Sequence, residues 1–397
     1  MKKNILFITR NGLLEPLGQS QILSYLVPLS KNFSINIISF EKNIDVENKE
    51  HLNSIKKICV DNNIEWKPLT YRKTYRSLGV LVGLIELLYL ALKICKIKEI
   101  DCVHARSYYP VFVALAIYRL KKIPFVFDMR ALWPEELVEA GRLKENSVSW
   151  KIIKNLEKKC LKNASAVVSL THAAVNHLDK VHQGFFLKDK IVVIPTCANL
   201  KRFKLKDSEL SSQNITISCI GSMLSGWFKI NMLKEVVDYL LSTYENVCFE
   251  FLTRDDKEKL MQKIDLENKW QKRIHIESVL FKDMPMKLSN HNGSVFFFTS
   301  NISKLGSAPT RMAEILGTGI PVLTNSGVGD VDKIVKENKV GELLNSENEE
   351  DIKIACDNFM QLVIKKDIAK QCRLAAEELF SLDVGVKNYR SIYNRII

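Results

Sequence analysis

A chain of 397 residues is longer than one hydrophobic core usually serves, and with 46% apolar residues it can fill two, so two domains of ordinary size are expected. Lys and Arg outnumber Asp and Glu by 58 to 45, a formal charge of +13. That balance raises nucleic acid as a partner, but no arginine-rich segment, zinc-finger spacing or aromatic-basic signature accompanies it, so no nucleic-acid partner is expected.

The opening MKKNILFITRNG places two lysines before an apolar run. The run is only about five residues long and closes in Thr9-Arg10-Asn11-Gly12, so it reads as a buried strand and its turn rather than a signal peptide. Short apolar runs, often β-branched, then alternate with longer segments of helical period, the pattern of parallel α/β architecture. The first half predicts strands at Asn4–Thr9, Ser34–Ser39, Ile64–Pro68, Asp101–His104, Phe125–Asp128, Ala166–Ser169 and Ile191–Ile194. Helices are predicted over Gln19–Lys31, Asn146–Leu161 and Thr171–His182.

Leu78–Ile94, LGVLVGLIELLYLALKI, is nearly long enough to span a bilayer, but Glu86 in its middle would cost about 3 kcal/mol there. It reads as a helix buried between sheet and neighbours. With the basic, tyrosine-bearing Lys67–Arg76 before it, the alternative is a helix lying on an anionic membrane surface through residues 67–94.

Pro195–Gln213 loses apolar periodicity and ends in a polar Ser/Gln patch, as a linker does. The pattern restarts with predicted strands at Ile215–Ile220, Val247–Leu252, Ile274–Ile276, Ser294–Phe298, Ile320–Leu323 and Gly341–Leu344. The expected domains are 1–200, a linker at 201–213, a second domain at 214–381, and a helix at 382–397 that crosses back to the first domain. Two doubly wound sheets facing one another set their strand carboxyl ends across a cleft, where ligands of such sheets bind. The nine cysteines include no C-x-x-C pair and sit in apolar contexts, which reads as reduced core cysteine of a cytosolic protein.

Lys304–Asn325, KLGSAPTRMAEILGTGIPVLTN, carries the densest chemistry. It reads as a polar loop, a helix opened by Pro309 and closed by Gly317-Thr318-Gly319, and a strand. The N-terminus of such a helix offers free amides and a positive dipole end to a phosphate, and Lys304 and Arg311 add formal charge beside it. Glu314 shares a helix face with Thr310 and Arg311, where a carboxylate can accept both hydroxyls of a ribose. The same spacing also suits an ordinary helix whose Glu314 pairs with Arg311.

This segment resembles the donor-binding signature of GT-B glycosyltransferases of family 4, in particular a bacterial surface-polysaccharide subgroup with a Ser-x-Pro-Thr-Lys/Arg loop, here Ser307-Ala308-Pro309-Thr310-Arg311. NGLLEPLGQSQ after the first strand resembles the glycine loop of that family's N-terminal domain, and VIPTCANLKRF the end of that domain, with Asn199 where Asp is common. Gly221-Ser222 resembles the phosphate-side loop of the second domain. The resemblance implies a GT-B fold of two Rossmann-like domains and a nucleotide-diphosphate-sugar donor. It also implies retention of the anomeric configuration and no obligatory cofactor or metal. Donor contacts then fall on Gly18, Gly221, Ser222, Gly306, Ser307, Pro309, Thr310 and Glu314, with Lys304 and Arg311 stabilising the leaving diphosphate.

Two positions depart from the pattern. Gly306 stands where many members carry the first Glu of a Glu-x7-Glu pair, and Ser222–Trp227, SMLSGW, lacks the usual Arg and Lys. In the first domain, Asp128 and Arg130 stand at a strand end where many members place a His, and are expected to be catalytic unless they form only a structural ion pair. His104 and Glu15 are candidate sugar or acceptor contacts. The acceptor is expected to be a glycan or lipid-linked molecule, and the enzyme cytoplasmic or peripheral at the inner face of the plasma membrane. A sugar-nucleotide epimerase and a silent nucleotide-sugar-binding subunit are the rival readings.

Overall fold

A computed structural model describes residues 2–71, 78–182, 190–205, 214–265, 267–280 and 282–397, and divides into two compact units. The N-terminal unit, Met1–Pro195 with Leu382–Ile397, holds a seven-stranded sheet. Its strands are β1 (Lys3–Thr9), β2 (Phe33–Glu41), β3 (Ile64–Thr70), β4 (Cys102–Arg106), β5 (Phe125–Asp128), β6 (Ala166–Ser169) and β7 (Ile191–Val193), all parallel, in the order β3-β2-β1-β4-β5-β6-β7. Every residue of β4, β5 and β6 is buried, as in strands covered by helices on both faces, and the polar residues His104, Arg106, Asp128 and Ser169 are buried with the apolar ones. Strand order reverses between β1 and β4, the topological switch point at which ligands of such sheets bind.

The C-terminal unit, Thr196–Ser381, holds β8 (Ile215–Ile220), β9 (Val247–Leu252), β10 (Ile274–Glu277), β11 (Gly293–Phe296), β12 (Val322–Asn325) and β13 (Gly341–Leu344). These six are also parallel, in the order β10-β9-β8-β11-β12-β13, with the switch between β8 and β11.

The predicted helix Gln19–Lys31 is interrupted: a turn at Pro16–Gly18 leads into a π-helical segment Gln19–Leu23 before α-helix resumes at Ser24–Leu29. Such π segments recur at functional sites. The other two predicted helices appear as Val148–Asn163 and His172–Val181, each started by a side-chain cap, Ser147 accepting from the Trp150 amide and Thr171 from the Ala174 amide.

The helix Leu78–Ile97 buries Leu87, Ala91, Ile94 and Cys95 in the N-terminal unit but leaves Val82, Ile85 and Tyr89 exposed at helical spacing. Among the described residues, no helix is long and apolar enough to cross a membrane. Residues 72–76 of the basic segment and 206–213 of the linker lie outside the described residues. The terminal helix Leu382–Ile396 packs within the N-terminal unit: Tyr389 lies edge-on to Tyr25 at 5.5 Å, and Tyr393 to Phe33 at 5.1 Å.

Candidate active site

In the C-terminal unit the chain leaves β8 at Gly221, whose φ of +131° favours glycine. An added Cβ there would meet nothing within 4 Å, so the glycine is set by backbone conformation rather than by lack of room. The next residues fold onto one carboxylate. The Ser222 hydroxyl (2.6 Å) and the amides of Met223 (2.6 Å) and Leu224 (3.0 Å) all donate to Asp255, just beyond β9. Burial alone would raise the Asp255 carboxyl, but the Ser222 hydroxyl and these amides hold it below its usual range. Asp255 was not among the sequence candidates, and its only local signal is a polar Thr-Arg-Asp-Asp at a strand end.

The loop then reaches Trp227. The Thr299 amide donates to the Trp227 carbonyl and the Lys229 amide to the Phe297 carbonyl, both at 3.0 Å, fastening it to the chain beyond β11. The polar loop expected before Pro309 contains a 3-10 turn at Ile302–Gly306. That turn buries Lys304 to 8% exposure and sets its ammonium 3.7 Å from the centre of the Trp227 ring, a cation–π contact. Gly306 is buried in the same turn, and the Ser307 amide donates to the Lys304 carbonyl at 3.0 Å.

The helix over Thr310–Gly317 starts one residue later than expected: Pro309, extended at φ −60° and ψ 112°, caps it rather than opening it. The Thr310 and Arg311 amides fall in the first turn, where a helix supplies no acceptor of its own. At the far end Arg373 Nη1 donates to the carbonyls of Gly317 (2.7 Å) and Phe203 (2.6 Å), which fixes the helix in the unit. Arg311 Nη1 lies 2.5 Å from Glu314 Oε2, so the intrahelical pair named as the alternative is present. Glu314 is buried and Arg311 about one-third exposed, which leaves the guanidinium the freer partner.

In the N-terminal unit the parallel register sets Thr9 beside Arg106 and Arg106 beside Asp128, so the carboxyl ends of β1, β4 and β5 adjoin. Asp128 Oδ1 lies 3.4 Å from Arg130 Nη1, while Oδ2 accepts from the Tyr389 hydroxyl at 3.2 Å and faces His104 Nε2 at 3.4 Å. His104 Nδ1 lies 2.7 Å from the Tyr393 hydroxyl. Burial pulls the His104 pKa down, so the ring is neutral at pH 7, with Nε2–H toward Asp128 and Nδ1 accepting from Tyr393. Burial would raise the Asp128 carboxyl, but the Arg130 charge, the His104 hydrogen bond and Arg106 together hold it well below the carboxylate range. Asp128 is thus a carboxylate at any ordinary pH, and His104 an enclosed group beneath it.

The glycine loop after β1 is organised by Glu41, another residue missed in sequence. Its buried carboxylate accepts from the Leu13 amide (2.8 Å), the Leu14 amide (3.2 Å) and the Ser39 hydroxyl (2.5 Å). Gly18 closes the loop: a Cβ there would stand 1.9 Å from the Gly12 carbonyl oxygen, so its absence serves packing within the loop itself. Glu15 pairs with Lys42 Nζ at 2.7 Å.

Residues 38–202 match the family model described as Glycosyltransferase Family 4. No curated protein sequence matches the chain. Among solved structures it is similar to a glycosyltransferase from Rickettsia africae, at TM-score 0.72 and 16% identity over 100% of this chain and 98% of that one. It is also similar to sucrose-phosphate synthase from Thermosynechococcus elongatus (TM-score 0.72, 13% identity, 100% and 99% covered) and to HepE from Anabaena in complex with UDP-glucose (TM-score 0.69, 15% identity, 99% of each). At such identities the likeness establishes the fold, two Rossmann-like parallel-sheet units of GT-B type. The Glycosyltransferase Family 4 match thus covers residues 38–202, and the chain as a whole shares the fold of these glycosyltransferase structures.

Proposed function

We propose that the enzyme transfers a sugar, with retention of configuration, from a nucleotide-diphosphate donor to a hydroxyl of a glycan or lipid-linked acceptor in bacterial cell-surface polysaccharide or glycoconjugate synthesis. The observation that carries the donor half is the helix Thr310–Gly317, with open first-turn amides, Arg311 at its mouth and a buried Glu314 one turn in. UDP is the nucleotide to test first, because the similar HepE structure holds UDP-glucose.

Donor binding exchanges the Arg311–Glu314 pair for two ligand contacts. Glu314 takes the ribose hydroxyls and Arg311 turns to the diphosphate. As the glycosidic bond breaks, negative charge grows on the leaving diphosphate, where the Thr310 and Arg311 amides and the Lys304 and Arg311 charges stabilise it. Ser307 and Gly306 border the same turn and replace the missing first Glu in contacting the donor sugar, with Gly221 and Ser222 on the phosphate side. On the N-terminal unit, Asp128 and Arg130 act catalytically at the reacting sugar, Gly18 contacts the donor, Glu15 meets the sugar or acceptor, and His104 orients Asp128.

Calorimetric titration with UDP tests the donor half. Glu314→Ala is expected to weaken UDP binding by at least about tenfold, as loss of a charged hydrogen-bond acceptor does. Arg311→Ala is expected to lower turnover more than affinity. Unchanged UDP affinity in Glu314→Ala, or wild-type turnover in Arg311→Ala, refutes the corresponding role.

A lipid-linked acceptor places the enzyme at an anionic membrane, and the exposed Val82, Ile85 and Tyr89 followed by Lys93 and Lys96 form the face that would meet it. Co-flotation with anionic liposomes that disappears in Ile85→Glu/Tyr89→Glu is the expected result. A wild-type protein that stays at the bottom of the gradient refutes it.

A further inference from the structure

Three arginines stand at the carboxyl ends of the three central strands of the N-terminal sheet. Arg10 follows β1, Arg106 ends β4 and Arg130 follows β5, across the point where strand order turns from β1 to β4. Two of them have partners. Arg10 lies 4.3 Å from the centre of the Tyr109 ring and donates to the Tyr71 hydroxyl at 3.0 Å, and Arg130 shares Asp128 with His104 and Tyr389.

Arg106 differs. It is 3% exposed, and its Nε and Nη1 are buried with no hydrogen-bond partner among the described residues. Burial, and then the Arg130 charge, pull the guanidinium down to about 10, which still leaves it a cation at neutral pH. A buried cation without its counter-charge is strongly destabilising. Asp128, the carboxylate beside it in the register, already meets Arg130 with one oxygen and Tyr389 and His104 with the other. With His104 neutral, two guanidiniums share a single carboxylate, and the cluster is short of one negative charge.

The backbone marks the same place. Ser107, directly after Arg106, has φ +74° and ψ 179°, a conformation that is nearly glycine's alone, and it is held there by its amide donating to the Asp128 carbonyl at 2.8 Å. Strain of this kind persists at ligand sites, where the surrounding structure over-determines it.

We propose that Arg106 and Arg130 form an oxyanion subsite on the N-terminal unit, which takes a phosphate or carboxylate carried by the acceptor. The planar guanidinium fork matches both groups, and the Arg130 side chain, 12% exposed, is the way in. The assignment to the acceptor rests on the glycosyltransferase reading, whereas the anion site itself does not. An acceptor lacking the anion leaves Arg106 unpaired and is rejected for that reason.

The test is calorimetric titration of the full-length protein, first saturated with UDP to fill the donor site, with inorganic pyrophosphate, inorganic phosphate and glucuronate in separate arms. At least one is expected to bind, with pyrophosphate or phosphate pointing to a phosphorylated acceptor and glucuronate to a uronic acid. Arg106→Gln should weaken that binding at least about tenfold while UDP affinity holds, and Arg106→Lys should restore part of it. If Arg106→Gln does not fold, Arg130→Gln at the more exposed edge is read in the same way. Failure of all three probes to bind the UDP-saturated protein overturns the subsite, as does binding that persists in both Gln variants. A protein that does not bind UDP at all overturns the donor reading instead, and the subsite is then judged from pyrophosphate binding to wild type against Arg106→Gln.

Discussion

Asp255 offers the most direct test of how the donor-side loop is held. Its carboxylate takes one hydroxyl and two amides from Ser222–Leu224, at 2.6, 2.6 and 3.0 Å. A hydrogen bond to a charged group contributes about 1.5–3 kcal/mol, and because Asp255 is only partly buried and its three bonds share one carboxylate, about 1.5 kcal/mol, the lower end for a single bond, is taken as the minimum for the clamp. Asp255→Ala should therefore raise the population of the open loop by at least roughly tenfold. A single melting temperature is a poor readout for a chain of two units, so the measurement is amide hydrogen exchange resolved to Met223 and Leu224. Both amides should be protected in the wild-type protein and exchange at least roughly tenfold faster in the variant. Asp255→Asn, which keeps one acceptor oxygen, should fall between them. Exchange at both amides unchanged in Asp255→Ala would refute the clamp, since it would mean that the loop is held by its fastening at Trp227 and Thr299 alone.

Gly18→Ala puts a Cβ 1.9 Å from the Gly12 carbonyl oxygen, a backbone atom that cannot swing away, so a loss of about 1–3 kcal/mol or more is expected. Urea unfolding followed by tryptophan fluorescence measures it, and wild-type stability would show that the loop relaxes freely. The Asp128 carboxyl titrates well below its unfolded value, so the stability it adds is complete above about pH 4 and is lost as pH falls toward the folded value. Asp128→Asn should flatten the acid side of the stability curve of the N-terminal unit below about pH 4, and a slope equal to the wild type's would remove Asp128 from the acid transition.

The polar residues at strand ends show why the fold was easier to read than the site. β2 was expected to stop at Ser39 and β4 at His104, because an apolar run that gives way to charge ordinarily marks a turn. In the structure β2 continues to Glu41 and β4 to Arg106, and both charged residues are buried. Glu41 is satisfied by amides 28 and 27 residues earlier, and His104 by a tyrosine hydroxyl 289 residues later. No periodicity within either strand encodes such partners. Asp128 and Arg130 became candidates only because Asp-Met-Arg closes a short strand beside a family pattern. Arg106, one strand over, carries the same kind of signal as any solvated turn arginine. What separates the two cases is the parallel register that sets Thr9, Arg106 and Asp128 side by side, and that is a property of which strands become neighbours. A strand order of β1-β4-β5 turns three separate strand endings into one cationic edge, with Arg106 at its centre and the Asp128 carboxylate beside it, so the grouping of these residues is written in the topology.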